Sequence, residues 1–181
     1  MPHIHELIDF TVAAYIVNNG RVALVNHLQL KRWMPVGGHI ELNEDPEEAL
    51  FREIEEETGI DKSQLTVLSS KPEIVSDGTK FLFTPSFLDI HKITDTHRHV
   101  GITYLLESKT DKLILAADEH KGIRWFNLSD LEDKKIDISA AVKFYAQEAI
   151  RLSNSSGRWN KKSGFADFNG LSPSKPQATA T

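Results

Sequence analysis

The chain has 181 residues, an ordinary balance of apolar and charged side chains, a formal net charge of −5 and no cysteine. That length accommodates one domain with a substantial core, and the composition excludes a fibrous or wholly disordered chain. The lack of cysteine excludes disulfides, thiolate metal sites and cysteine nucleophiles, and it fits a reducing compartment.

Lys and Arg are scattered, so no extended nucleic-acid surface is expected. Mild acidity still allows a phosphorylated small molecule, because a bound cation can supply positive charge. The N-terminus, Met1-Pro2-His3-Ile4-His5-Glu6, has no basic segment followed by an apolar run. The apolar stretch Thr11 to Val17 is too short to cross a bilayer. A cytoplasmic protein without a leader or membrane partner is expected.

Phe10 to Val17 and Val22 to His27 are β-rich, and Asn18-Asn19-Gly20 between them predicts a hairpin. A loop follows over Lys31-Arg32-Trp33-Met34-Pro35-Val36-Gly37-Gly38. A helix is predicted from Pro46 to Thr58: Asp45 caps it, Pro46 suits its first position, Glu48 completes a capping box and Gly59 ends it. Leu50 and Ile54 share its apolar stripe. Strands are expected over Leu65 to Leu68, Lys80 to Ile90, Gly101 to Glu107 and Gly122 to Asn127, with a turn at Ser76-Asp77-Gly78-Thr79. A second helix should cover Ser139 to Leu152. This order predicts an α/β (α+β) domain over residues 1–152, with a mixed sheet between helices. Residues 153–181 read as a polar, partly disordered extension, with Trp159, Phe165 and Phe168 able to dock.

Glu53, Glu56 and Glu57 are spaced three and four apart, so their carboxylates converge on one side of the helix. Such a face can be merely solvated, and Glu47, Glu48 and Glu55 are read as ordinary surface. It can also hold a hard cation, since magnesium takes oxygen ligands and bridges carboxylates to phosphates. Gly37 and Gly38 beside it would let phosphate and metal approach the backbone. Arg52 could orient a glutamate through charge-assisted hydrogen bonds.

From Gly38 the pattern runs five residues to Glu44, seven more to Arg52, then Glu53-Ile54-Glu55-Glu56-Glu57-Thr58-Gly59-Ile60. It resembles the Nudix box at every constrained position. Trp33-Met34-Pro35-Val36-Gly37-Gly38 is similar to the family's approach to the box, and Arg124-Trp125-Phe126 with Leu128 resembles its closing strand. The resemblance covers roughly Asp9 to Leu152.

It implies a Nudix-type mixed sheet between helices and hydrolysis of a diphosphate linkage in a nucleoside diphosphate derivative. Water would be the nucleophile and Mg2+ the cofactor, with Mn2+ as a substitute. Carried over by position, Glu53, Glu56 and Glu57 are metal ligands, joined by the carbonyl of Gly37. Arg52 holds a catalytic glutamate, and Glu44 and Gly38 secure the loop against the helix. The general base is Glu53 or Glu56, or a loop residue for which Glu119 is the candidate. Glu41 is a candidate outer support for the metal.

Arg32, Trp33, Gly37 and Gly38 are the substrate-binding candidates, and Lys31 is a further cation beside them. Phe81, Phe83 and Phe87 are aromatic enough to stack a base or fill the core. His97 and His99 alternate, so in a strand they would face one way like a metal pair, with His91 nearby. No third ligand is evident from the sequence. The family's diphosphate isomerases rely on a cysteine that this chain lacks. Catalytically inactive Nudix-like modules, which sense nucleotides or act as scaffolds, usually carry degraded boxes, so the intact acidic set favours an enzyme. A homodimer is compatible with the family.

Overall fold

In the computed structural model, which describes residues 6–159, the hairpin forms where Asn18-Asn19-Gly20 predicts it. Strand β1 (Ile8–Asn18) turns into β2 (Arg21–His27) through Asn19 and Gly20, both at positive φ (49° and 71°). Two left-handed residues match the twist of the strands they join. The strands pair at Val17–Val22 and Asn18–Arg21 and then separate.

The chain from β3 (Trp33–Met34) to Ile40 fills this fork. Met34 and Trp33 pair with Val25 and Asn26 of β2. On the other side Ala14 N donates to Val36 O (2.8 Å), Val12 N to Gly38 O (2.9 Å) and Ile40 N to Phe10 O (3.0 Å). The segment that carries the two adjacent glycines is thus held along β1 by its backbone.

Helix α1 (Pro46–Thr58) has the expected capping box, with Asp45 accepting from the Glu47 and Glu48 amides and Glu48 accepting from the Asp45 amide. Gly59 closes it in the left-handed region (φ 67°). A 3-10 turn (Lys62–Gln64) leads to β4 (Leu65–Val67). Then come β5 (Phe87–Lys92), β6 (Arg98–Ser108) and β7 (His120–Phe126). A short helix α2 (Leu128–Glu132), capped by Asn127, and the long α3 (Ala140–Trp159) complete the described chain. The polar extension lies outside the described residues from residue 160 on, including Phe165 and Phe168, and α3 runs through its expected start at 153.

The sheet order is β3-β2-β1-β6-β4, with β5 also on β6 and β7 on β2. β1 and β6 are parallel from Ile8–Arg98 to Val17–Glu107, and the other pairs are antiparallel. Successive side chains of a strand point to opposite faces. Val12, Ala14 and Ile16 therefore pack with Ala49, Leu50 and Ile54 of α1. Tyr15, Val17 and Leu105 pack with Ala146, Ala149 and Ile150 of α3. Leu50 and Ile54 are fully buried, each stabilising the fold by about 1.5–3 kcal/mol. The result is the expected mixed sheet between helices.

Two expectations need correction. The strand expected from Lys80 begins only at Phe87. Pro85 has no N–H for a ladder, and residues 80–86 are tied down by other means. Thr84 N donates to Ser70 O (3.1 Å), Phe83 N donates to Glu47 Oε1 (2.6 Å), and Lys80 pairs with Asp45 and Glu48. Glu47 accordingly is not surface: it is 4% exposed, and its second oxygen meets Lys71 Nζ at 3.3 Å.

Candidate active site

The second half of α1 brings the box residues against the glycines in the fork. Arg52 is their hub. Its Nε and Nη2 donate to the two oxygens of Glu44 (3.0 and 2.5 Å), and Nη2 also donates to His39 O (3.0 Å). Nη1 donates to Glu53 Oε1 (2.8 Å) and Glu56 Oε2 (3.1 Å). All five N–H groups of the guanidinium are thereby engaged. The Glu44 carboxylate and its hydrogen bonds raise the Arg52 pKa, and Arg52 in turn lowers that of Glu44. Glu44 also accepts from the Glu41 amide (2.9 Å), while the Glu41 side chain lies exposed.

Glu53 is buried directly against Gly38, where an added Cβ would collide with its carboxylate. Burial, offset in part by Arg52 and reinforced by the charges of Glu57 and Glu56, pushes the Glu53 carboxyl up to about 7. Gly37 adopts φ 140°, and a Cβ there would strike the Val12 carbonyl, so the position requires glycine on both counts. Its N–H donates to Glu57 Oε2 (3.0 Å). Glu56 is the solvent-facing member of the trio, its side chain 61% exposed.

The other oxygen of Glu57 lies 2.7 Å from His120 Nε2, and both side chains are buried. Burial raises the Glu57 pKa. Burial alone would lower His120, but its bond to Glu57 and the charges of Glu57, Glu119 and Asp118 raise it. The pair thus holds a proton between two buried atoms. Glu119 joins them: Glu57, Glu119 and His120 bring one ligand atom each within 4.8 Å of one another. Nothing in the sequence marks His120 for this contact except its place directly after Glu119, at the start of β7.

The remaining candidates lie elsewhere. Arg32 pairs with Asp137 at the surface (3.1 Å), and Lys31 is exposed at φ 53°. Trp33 turns toward the α3 side, edge-on to Phe126 (4.8 Å) and beneath the guanidinium of Arg124 (5.5 Å). Phe83 packs on the α1-side core and Phe87 on the α3 side, where it stacks on Tyr145 (4.7 Å). His91, His97 and His99 form a cluster with His39 and Asp9 on the α3 side of the sheet, away from the glutamates. Burial and the neighbouring His39, His91 and His97 push His99 down to about 4.

Comparison with known proteins places this geometry. A profile of the NUDIX domain matches residues 8–147. A NUDIX-family hydrolase from Clostridium perfringens superposes with a TM-score of 0.68 at 30% identity, over 80% of this chain and 97% of that one. A MutT NUDIX hydrolase from Burkholderia pseudomallei shares the fold, with a TM-score of 0.57 and 23% identity over 81% and 98% of the two chains. An 8-oxo-dGTP diphosphatase from Proteus vulgaris is 53% identical over 38 residues, 21% of this chain and 34% of that protein. The matched stretch therefore spans about a third of that relative's length. With the domain profile covering most of the chain and the box residues gathered at one site, this protein belongs to the Nudix hydrolase family.

Proposed function

We propose that the chain hydrolyses a diphosphate linkage in a nucleoside diphosphate derivative, with Mg2+ or Mn2+ held by Glu53, Glu56, Glu57 and the Gly37 carbonyl. The observation that carries this reading is the buried carboxylate of Glu53 beside Gly38, with Glu57 bound to the Gly37 amide on the same helix. An all-oxygen donor set with more negative charge than Arg52 and His120 offset fits a hard divalent cation. When bound, such a cation lowers the pKa of a water and neutralises charge on the leaving phosphate.

The chain's own residues have separable tasks. Arg52 fixes Glu53 and Glu56 relative to the loop through Glu44 and the His39 carbonyl. Glu53, Glu56 and the exposed Glu119 are the candidates for the proton acceptor. His120 Nε2 holds a proton against Glu57 Oε1 and fixes that carboxylate's orientation.

A nucleoside part is supported by the adjoining surface. Phe10, Val100 and Ile90 stand in register across β1, β6 and β5 on the α1 side, with Phe10 and Ile90 exposed. This apolar row begins beside Ile40, two residues beyond Gly38, and offers a platform for a base. Among substrates, nucleoside triphosphates with an oxidised purine come first, because one matching relative is an 8-oxo-dGTP diphosphatase.

The test is a panel of nucleoside triphosphates, ADP-ribose, dinucleotide polyphosphates and sugar nucleotides, with Mg2+, Mn2+ or chelator, read by product mass. Metal-dependent release of a nucleoside monophosphate is expected. Nucleotide binding without any product across the panel would instead identify a sensing or scaffold module.

A further inference from the structure

The histidine cluster on the α3 side sets His99, in place of the expected His97–His99 pair, beside Asp9 and His39, two groups that the sequence alone does not bring to it. Asp9, His99 and His91 are register partners across the adjacent strands β1, β6 and β5. Side chains in such a row stand on one face of the sheet, a few ångströms apart. His39 reaches the same face from the loop in the fork, opposite Thr11 of β1. Its Nε2 lies 3.2 Å from Asp9 Oδ2, and its ring centroid lies 4.8 Å from that of His99. Asp9, His39 and His99 bring one ligand atom each within 4.8 Å of one another.

Burial makes this more than a polar strand end. Asp9 is 0% exposed and His39 8%. A buried carboxylate flanked by imidazoles is a donor set that a bound cation suits, because the ion keeps the carboxylate charge compensated away from water. Donor atoms around a zinc-sized ion, with bonds near 2.0–2.1 Å, sit about 3.3 Å apart in a tetrahedron. The contact between His39 and Asp9 already has that separation. His97 Nε2 lies 3.3 Å from the same Asp9 oxygen, and its Nδ1 donates to Glu6 O (3.0 Å), which anchors this second imidazole beside the carboxylate.

We propose that Asp9, His39 and His99 form a second metal site, for a borderline first-row cation of the Zn2+ type, separate from the glutamate site. Imidazole nitrogen and a single carboxylate select such ions over Mg2+. The site staples the loop of residues 36–40 to the ends of β1 and β6. His39 spans both centres: its imidazole belongs to this cluster, while its carbonyl accepts from Arg52. The role is therefore structural support of the loop that carries Gly37 and Gly38.

The probe is Co2+, whose visible absorption reports imidazole ligation at low coordination number. Chelator-treated full-length protein should bind one equivalent giving visible bands, and these should persist in the Glu53→Gln/Glu57→Gln double variant. Asp9→Asn and His99→Gln should each lose the bands and weaken Co2+ binding at least about tenfold. A mutation-free arm guards against misfolding: substoichiometric Zn2+ should shift the ring NMR signals of His39 and His99, while excess Mg2+ should not. No bands in the native protein, bands that vanish only with the glutamates, or unmoved His39 and His99 signals would each overturn the site. Because turnover depends on the glutamates and the bands on the histidines, failure of this proposal is distinguishable from failure of the hydrolase reading.

Discussion

Two polar clusters lie back to back across the start of β1, and they are built on opposite principles. On the α1 side, carboxylates gather round one cation: Arg52 satisfies Glu44, Glu53 and Glu56 at once. On the α3 side, imidazoles gather round one anion: His39 and His97 both lie within 3.3 Å of an Asp9 oxygen. The backbone joins them at Gly38-His39, where Gly38 touches Glu53 and His39 turns to Asp9. A single bridging segment can thus serve an oxygen-rich and a nitrogen-rich centre, because alternate residues of an extended chain face opposite ways.

The largest expected effect separates catalysis from bulk acidity. Glu53→Gln and Glu57→Gln should each lower kcat by at least about a thousandfold while leaving the circular dichroism spectrum unchanged, since each keeps an oxygen to accept the existing hydrogen bonds and removes the charge at the proposed reacting centre. Glu55→Gln, on the exposed side of the same helix, should leave turnover within about twofold. Equal losses in all three variants would show that net charge of the helix, not the assigned geometry, controls the rate.

In the metal-free protein the two clusters should respond to pH with opposite signs. The Glu53 carboxyl titrates at about 7 in the fold against 4.5 ordinarily. Below 4.5 it is protonated in both states and contributes nothing. As pH rises from 4.5 to 7 the unfolded chain releases its proton first, so stability falls, by about 3 kcal/mol once pH exceeds 7. His99 does the reverse, titrating at about 4 against 6.5. As pH falls from 6.5 to 4 the unfolded chain takes up its proton first, so stability is lost toward acid. Denaturation across pH 4–8 should show Glu53→Gln gaining stability mainly at high pH and His99→Gln mainly at low pH. The same sign in both variants would break the contrast.

Next in size is Arg52→Lys. An ammonium has three donors on one nitrogen and cannot reach Glu44, the His39 carbonyl, Glu53 and Glu56 together. The expected loss is about 30- to 100-fold in kcat, with KM changed less than about threefold, because the arginine holds other groups rather than substrate. A change confined to KM would mean that Arg52 contacts the substrate directly.

What the sequence discloses of this arrangement follows from distance along the chain. Asp45, Pro46, Glu48 and Gly59 determine α1 through contacts within a few residues, and Asn19-Gly20 does the same for the hairpin. Glu53, Glu56 and Arg52 are likewise one turn apart, so their meeting could be read from spacing. His120 meets Glu57 across 63 residues, and Asp9 meets His99 only because β1 and β6 pair in parallel. Nothing local marks either encounter. Trp33 belongs by sequence to the loop before the glycines, while the face it takes is decided by Phe126 and Arg124 of β7. The strand expected at Lys80 had the right apolar residues, yet Pro85 and the capture of the Phe83 amide by Glu47 keep it out of the sheet.

Glu47 provides the smallest and most discriminating effect. It stands on the same helix as Glu53, Glu56 and Glu57 and is as buried as Glu57, but its oxygens are occupied by the Phe83 amide and Lys71. Glu47→Gln keeps a carbonyl to accept from Phe83 N and loses only the ion pair with a partly exposed lysine, so it should cost about 1 kcal/mol or less. Glu47→Ala leaves a backbone N–H without its acceptor and should cost about 1–3 kcal/mol. In neither variant should kcat per folded molecule change by more than about twofold. A loss of turnover in Glu47→Gln comparable to that of Glu53→Gln would place Glu47 at the reacting centre. Lys71 and Phe83, which bind Glu47, would then adjoin the active site instead of only holding the chain to the start of α1.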